Sequence, residues 1–227
     1  MRAIEASSLS CSNCTAGNCS KLLNSFPGFC LTKNAEEETV RNVTGRYIKD
    51  SEDRKIALAS AELEAEYYGR ATRVEEILIF IKKMDYKKVG VATCTGLLNE
   101  CNKFAKIAKA KGIDVYGVAC KIGALDKTVI GLREDQKISP GSHESMCNPI
   151  LQAELLNEQK ADFNVIIGLC VGHDTLFIKY SEAPVSYLIV KDRVLCHNSA
   201  AAIYGMNSYY KRLLEPDLLK PRGNKGS

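Results

Sequence analysis

In the second half of the chain, short apolar runs alternate with segments of helical period. Lys88-Val89-Gly90-Val91-Ala92-Thr93, Val115-Tyr116-Gly117-Val118-Ala119, Phe163–Leu169 and Val185–Val190 are short, rich in β-branched residues and followed by turn residues, and read as buried strands. Between them, Gly96 to Lys111 (ended by Gly112), Pro149 to Glu158 (capped by Asn148) and Asp174 to Tyr180 read as helices. Val89 to Ala119 is therefore a βαβ unit with a parallel strand pair. A closing helix is expected over Asn198–Leu214, interrupted at Gly205.

Upstream, residues 36–86 read as helical. Asp53 to Tyr68 is rich in Ala, Glu and Leu, and Gly69 ends it. Thr72-Arg73-Val74-Glu75 is a capping box, and Val74, Ile77, Leu78 and Ile81 form the apolar stripe of the next helix. Residues 1–35 show no period and are rich in Cys, Ser, Asn and Gly. The chain thus divides into a Cys-rich segment (1–35), a helical region packing on the core (36–86), an α/β domain (87–215) and a polar tail expected to be disordered (216–227). The fold class is α/β: an open, mostly parallel sheet with helices on both faces, preceded by the small Cys-rich segment and the helical region.

Composition narrows the function classes. Of 227 residues none is Trp and 7% are aromatic, while the net charge is +4. That balance argues against a nucleic-acid partner, which would need a basic stripe or a stacking platform. No apolar stretch approaches the roughly 20 residues of a membrane helix, so no membrane partner is expected. The opening residues, Met1-Arg2-Ala3-Ile4-Glu5-Ala6, carry an acid and no apolar run, so no signal peptide is expected either. Ten cysteines are the outlier. In a chain of this length and periodicity they read as reduced thiols of a cytoplasmic protein, kept for metal or chemistry rather than for disulfides.

Two cysteine constellations stand out. Cys11-x2-Cys14-x4-Cys19-x10-Cys30 places four thiols in twenty residues of a segment too small for a core, a pattern suited to a thiolate-bound metal, Zn²⁺ or Fe–S. The second set follows the strands: Cys94, Cys120 and Cys170 each stand just past a strand end, and Cys147 precedes the Asn148-Pro149 helix start. If the strands are parallel these thiols share the edge that carries the ligand crevice of open α/β folds. They would hold a [4Fe–4S] cluster or Zn²⁺, present a nucleophile, or simply pack as small apolar residues. His173, next to Asp174 and three residues after Cys170, is a candidate base; Cys147, His173 and Asp174 are the catalytic candidates. Lys121, Lys179 and His197 are weaker candidates for the crevice, His143 sits in a polar loop, and Cys101 is expected to pack inside a helix. No G-x-G-x-x-G follows the first strand, and G-x-x-x-x-G-K-[ST] and G-x-S-x-G do not occur.

The blocks Met146-Cys147-Asn148-Pro149-Ile150-Leu151-Gln152-Ala153, Gly168-Leu169-Cys170-Val171-Gly172-His173-Asp174, Val190-Lys191-Asp192-Arg193-Val194-Leu195, Tyr68-Gly69-Arg70-Ala71-Thr72-Arg73 and Cys120-Lys121-Ile122-Gly123 resemble the DUF1847 family. Its members are prokaryotic and usually labelled predicted metal-binding proteins. The resemblance covers most of residues 11–212. It implies Cys11, Cys14, Cys19 and Cys30 as metal ligands, and Cys94, Cys120, Cys147 and Cys170 as the cysteine set of the α/β part. Cys196 and Ser199 stand where the family pattern leads one to expect glycine and proline. The expectation is an iron–sulfur or zinc-dependent enzyme of redox or sulfur-handling type, acting on a small molecule or with a redox partner. The alternatives are a non-catalytic zinc module and a metal-free thiol enzyme using Cys170 or Cys147 with His173.

Overall fold

The computed structural model describes residues 9–21, 25–217 and 219. The chain divides into two compact units, Met1–Glu64 and Ala65–Ser227. The first contains α1 (Leu31–Asn34), α2 (Glu37–Ile48) and most of α3 (Glu52–Tyr67), after short 3-10 turns at Cys11–Asn13 and Asn18–Ser20. Arg46 clasps Asp53 through Nε and a terminal guanidinium nitrogen at 3.0 and 2.8 Å, tying α2 to the start of α3. Among its described residues only Ala59 is buried, so little apolar packing supports this unit.

The second unit contains four strands, β1 (Lys88–Thr93), β2 (Asp114–Ala119), β3 (Phe163–Ile167) and β4 (Val185–Ile189). They form one sheet in the order β2-β1-β3-β4, with every pairing parallel. The register slips between Ile166 and Ile167, which face Tyr187 and Ile189 and leave Leu188 without a ladder partner. The helices are α4 (Arg73–Lys83), α5 (Leu98–Ala110), α6 (Pro149–Glu158), α7 (His173–Tyr180) and α8 (Ala200–Tyr204). The Thr72–Glu75 capping box opens α4, and Asn148 caps α6 by accepting from Leu151 N.

Both sheet faces are covered, which is why β1 and β3 read as continuous apolar runs. On one face Val89, Val91, Phe163, Val165 and Ile167 pack with Ile77 and Ile81 of α4 and Phe104 and Ala108 of α5. On the other, Ala92, Val118 and Ile166 pack with Ala153 and Leu156 of α6 and Phe177 of α7. Gly90 keeps that second face close. A Cβ there would stand 2.0 Å from Asn164 Oδ1 and 2.9 Å from a Leu156 methyl.

The expected closing helix is not continuous. Helix α8 stops at Tyr204, and the chain turns back so that Tyr210 N donates to Gly205 O at 3.0 Å. The Tyr210 ring lies where a Cβ on Gly205 would be, and only a 3-10 turn, Lys211–Leu214, follows. Of the polar tail, residues 218 and 220–227 lie outside the described residues. Among the described residues no helix is long and apolar enough to cross a membrane.

Candidate functional site

The strand order creates a switch point. From β1 the chain passes outward to β2, then returns across β1 to β3 and continues to β4. Helix α5 lies on one face, and α6 and α7 on the other. In open parallel sheets the crevice beyond the strands' C-terminal ends at such a point is where ligands bind. Cys94, Cys120 and Cys170 stand at this rim, as the spacing predicted, and Cys147 joins them.

Each position has a physical cause. Cys94 N donates to Ile167 O at 3.1 Å and Cys120 N to Thr93 O at 2.8 Å, extending the ladder by one residue past β1 and β2. Gly168 turns the chain after β3 with φ +70, and a Cβ there would meet Leu97 at 2.6 Å. Cys170 then closes the first turn of α7, its carbonyl accepting from His173 N and Asp174 N. Cys147 is far from Cys120 in sequence but pinned to it: Asn148 N donates to Cys120 O at 2.7 Å. Beneath them the fully buried Gln152 donates through Nε2 to Thr93 O and Val118 O at 3.2 and 2.6 Å, bracing the ends of β1 and β2.

The loop between Cys120 and Cys147 is a closed structure of its own. Met146 N donates to Leu125 O at 2.7 Å, and Lys121 Nζ donates to Ser145 O. The Lys137 ammonium, 3% exposed, sits between Asp126 and Glu134 at 2.9 and 2.7 Å. Lys127 pairs with Glu144, and His143 Nδ1 lies 3.4 Å from Asp126. His143 therefore serves this loop.

The thiols form a polarised row. Cys120, 2% exposed, has its sulfur 3.7 Å from Cys147 Sγ, and it also shares a hydrogen bond with Cys94. Thr95 N donates to Cys120 Sγ at 3.4 Å. The Cys120 contact and burial hold the proton on Cys94, whose pKa is pushed up to about 12. At the other end Cys147 is lowered to about 6, first because Cys120 can donate to its thiolate and further by the Lys121 charge, against the opposing effect of burial. Two cations complete the rim. Lys191 Nζ donates to Cys94 Sγ at 3.4 Å, and an Arg193 guanidinium nitrogen donates to Cys170 Sγ at 2.9 Å. The Cys170 contact raises the pKa of Arg193.

Neither cation was singled out from the sequence, although both fall in the quoted Val190–Leu195 block directly past β4. The rule that located the cysteines, strand end then crevice, would have found them. Their loop turns on two adjacent residues in the left-handed region, Cys196 (φ 49) and His197 (φ 66). His197 does not reach the thiols: its Nδ1 accepts from Asp192 N at 3.0 Å and closes this loop. Cys196 is exposed. Cys101, on the buried face of α5, packs in the core, as expected of a packing residue.

The expected acid–base pair is arranged differently. Asp174 accepts from the Tyr187 hydroxyl at 3.0 Å, linking α7 to β4, and from Thr175 N. His173 Nδ1 is buried and has no hydrogen-bond partner. Burial, then the Lys121 charge, lowers the pKa of His173, so the ring is neutral near pH 7. Lys179 lies over the Tyr180 ring at 5.6 Å.

The amino-terminal cysteines form a separate set in the first unit. Cys14 N donates to Cys11 O at 3.1 Å, making the C-x-x-C turn. Cys11 and Cys19 are exposed, Cys14 and Cys30 half-buried. Burial opposes ionisation of Cys30, but contacts with Lys33 and Thr32 at the start of α1 outweigh it and lower its pKa. Among the described residues, no three His, Cys, Asp or Glu side chains stand ready as a metal cage.

A groove of about 830 Å³ lies away from the thiols. It is lined by Arg70, Leu78, Lys82 and Lys111 among others, where α5 ends before β2 begins, at the opposite edge of the sheet.

The chain is 50% identical over 187 residues, 82% of its length, to an uncharacterised protein of Methanocaldococcus jannaschii, MJ0455, of which the match covers 94%. Residues 30–188, which include Cys30, the four rim cysteines and His173, match the sequence profile of the family described as protein of unknown function DUF1847. On both counts the chain belongs to the DUF1847 family.

Proposed function

We propose that the rim of the sheet is a thiol site for redox or sulfur-handling chemistry on a small molecule, with Cys147 as the reacting thiolate. The observation that carries this reading is the contact between two cysteines of unequal exposure. Cys147, half-buried at a helix start, lies 3.7 Å from the buried Cys120. A thiol that keeps a hydrogen-bond donor on its sulfur and a lysine nearby is ionised near neutral pH, and the thiolate is the nucleophile. Lys191 and Arg193 favour anionic substrates, and the neutral His173 is a base within the electrostatic reach of Lys121.

Sub-stoichiometric iodoacetamide at pH 7 followed by peptide mapping tests this. Cys147 is expected to carry the first label. First labelling of Cys94 or Cys170, or none among the rim cysteines, overturns the reading.

A second reading is a metal centre, and one spacing favours it. Two thiolates on a tetrahedral Zn²⁺ stand about 3.8 Å apart, given Zn–S bonds near 2.3 Å. The Cys120–Cys147 separation of 3.7 Å fits. Cys94 and Cys170 would complete a Zn²⁺ or [4Fe–4S] ligand set after leaving Lys191 and Arg193. The amino-terminal Cys11, Cys14, Cys19 and Cys30 suit a second, structural ion by donor chemistry and by the scarcity of buried side chains around them. Anaerobic purification with metal and acid-labile sulfide analysis separates the readings. Metal lost specifically on Cys94→Ser favours a rim centre, and metal lost only on Cys14→Ser places it at the amino terminus.

A further inference from the structure

We propose that Cys120 and Cys147 form a redox-active dithiol, in which Cys147 takes the first oxidising equivalent and Cys120 resolves it as an intramolecular disulfide. This rests on the reading of Cys147 as the reacting thiol, and it adds a partner, a product and a substrate class: a low-molecular-weight disulfide.

Three observations assign the roles. First, exposure is unequal. Cys120 is 2% exposed and cannot meet a substrate directly, whereas Cys147 is partly open at the junction of loop and helix. Second, the two sulfurs are in contact at 3.7 Å, and the Asn148 N to Cys120 O bond of 2.7 Å fixes their backbones side by side. A disulfide needs its sulfurs about 2.05 Å apart, so closure requires an approach of about 1.7 Å by two side chains with no new loop to order. Third, the other rim thiols are engaged elsewhere. Cys170 receives Arg193 at 2.9 Å, and Cys94 receives Lys191 at 3.4 Å.

The chemistry balances without an outside group. The Cys147 thiolate attacks one sulfur of R–S–S–R; the Cys147–S–S–R bond forms and one RS⁻ leaves. The Cys120 sulfur then attacks Cys147 Sγ, its proton passing to the departing second RS⁻. The substrate disulfide is reduced to two thiols, and the two cysteines are oxidised to one disulfide, which a dithiol reductant reopens.

The test uses the full chain and 2-hydroxyethyl disulfide, with free thiols blocked by N-ethylmaleimide and peptides mapped without reduction. In wild type a Cys120–Cys147 cross-linked peptide is expected. Cys120→Ser is expected to stop at a mercaptoethanol adduct on Cys147, and Cys94→Ser still to form the cross-link. A wild-type chain that stops at the Cys147 adduct, or joins Cys147 to Cys94 or Cys170, overturns the inference while leaving Cys147 as the reacting thiol. A Cys147 that the reagent does not touch overturns both. The wild-type map decides on its own, whether or not the variants fold.

Discussion

At the scale of single residues the site is governed by protons on sulfur. Cys147, lowered to about 6, carries its charge above that pH, whereas Cys94, pushed up to about 12, keeps its proton. The rate of Cys147 alkylation should therefore rise about tenfold per pH unit below 6 and flatten above it. Lys121→Gln should move that inflection upward, because it removes a nearby positive charge; the rate against pH, followed by mass spectrometry, reads both. Gly168 is the other residue on which the site turns. Its φ of +70 and the Leu97 side chain 2.6 Å from a would-be Cβ leave no room for alanine. Gly168→Ala should cost about 1–3 kcal/mol in denaturant unfolding, through strain and overpacking directly upstream of Cys170.

At the scale of elements, the loop that delivers Cys147 is held by ion pairs rather than by a core. Asp126 sits below the usual carboxylate range, first through Thr128 N and then through Lys137; Glu134 is lowered by Lys137 and Glu144 by Lys127. Carboxyls depressed in the folded state stabilise it above their ordinary pKa, near 4, and lose that contribution as pH falls through the folded values. Acidification well below 4 should thus loosen the segment between Cys120 and Cys147 before the sheet. Protection factors from hydrogen exchange at about pH 2 and pH 6 should show amides of residues 124–146 losing protection while those of β1 and β3 keep it. Protection lost equally in both would contradict this. The same loop explains what the sequence left hidden. Asn148-Pro149 announced the start of α6 to the residue, since a cap and a proline at the first position act locally. The pairing of Cys147 with Cys120 depends on a hydrogen bond across the whole loop, which no local pattern encodes.

At the scale of the whole molecule, the parallel sheet and its two-sided covering were legible because β1 and β3 are buried on both faces and therefore apolar throughout. The strand boundaries fell within about two residues of the pattern. The convergence of Cys94, Cys120 and Cys170 followed from parallel strands alone. Lys191 and Arg193 were missed because they meet their thiols across 97 and 23 positions of sequence, through a turn on two left-handed residues. Gly205 was expected to interrupt one helix and instead ends it, because the Tyr210 ring occupies the space beside it. The first unit presents the opposite case. With Ala59 its only buried described residue, it has little apolar packing to hold it. If the amino-terminal quartet carries a thiolate-bound ion, chelation should open residues 9–50 to protease while fragments spanning β1 to β4 survive; equal resistance with and without chelator would speak against a metal there.

The slip in register at Ile166 and Ile167 has a consequence for the outer strand. The extra residue, Leu188, and its neighbour Ile189 both pack against the layer that holds Val165 and Ile167, where strict alternation would send them to opposite faces. A chain one residue shorter there would take an apolar side chain from that layer and draw back the segment from which Lys191 and Arg193 meet Cys94 and Cys170. An irregularity that looks like a flaw in the ladder thereby helps set the reach of both positive charges.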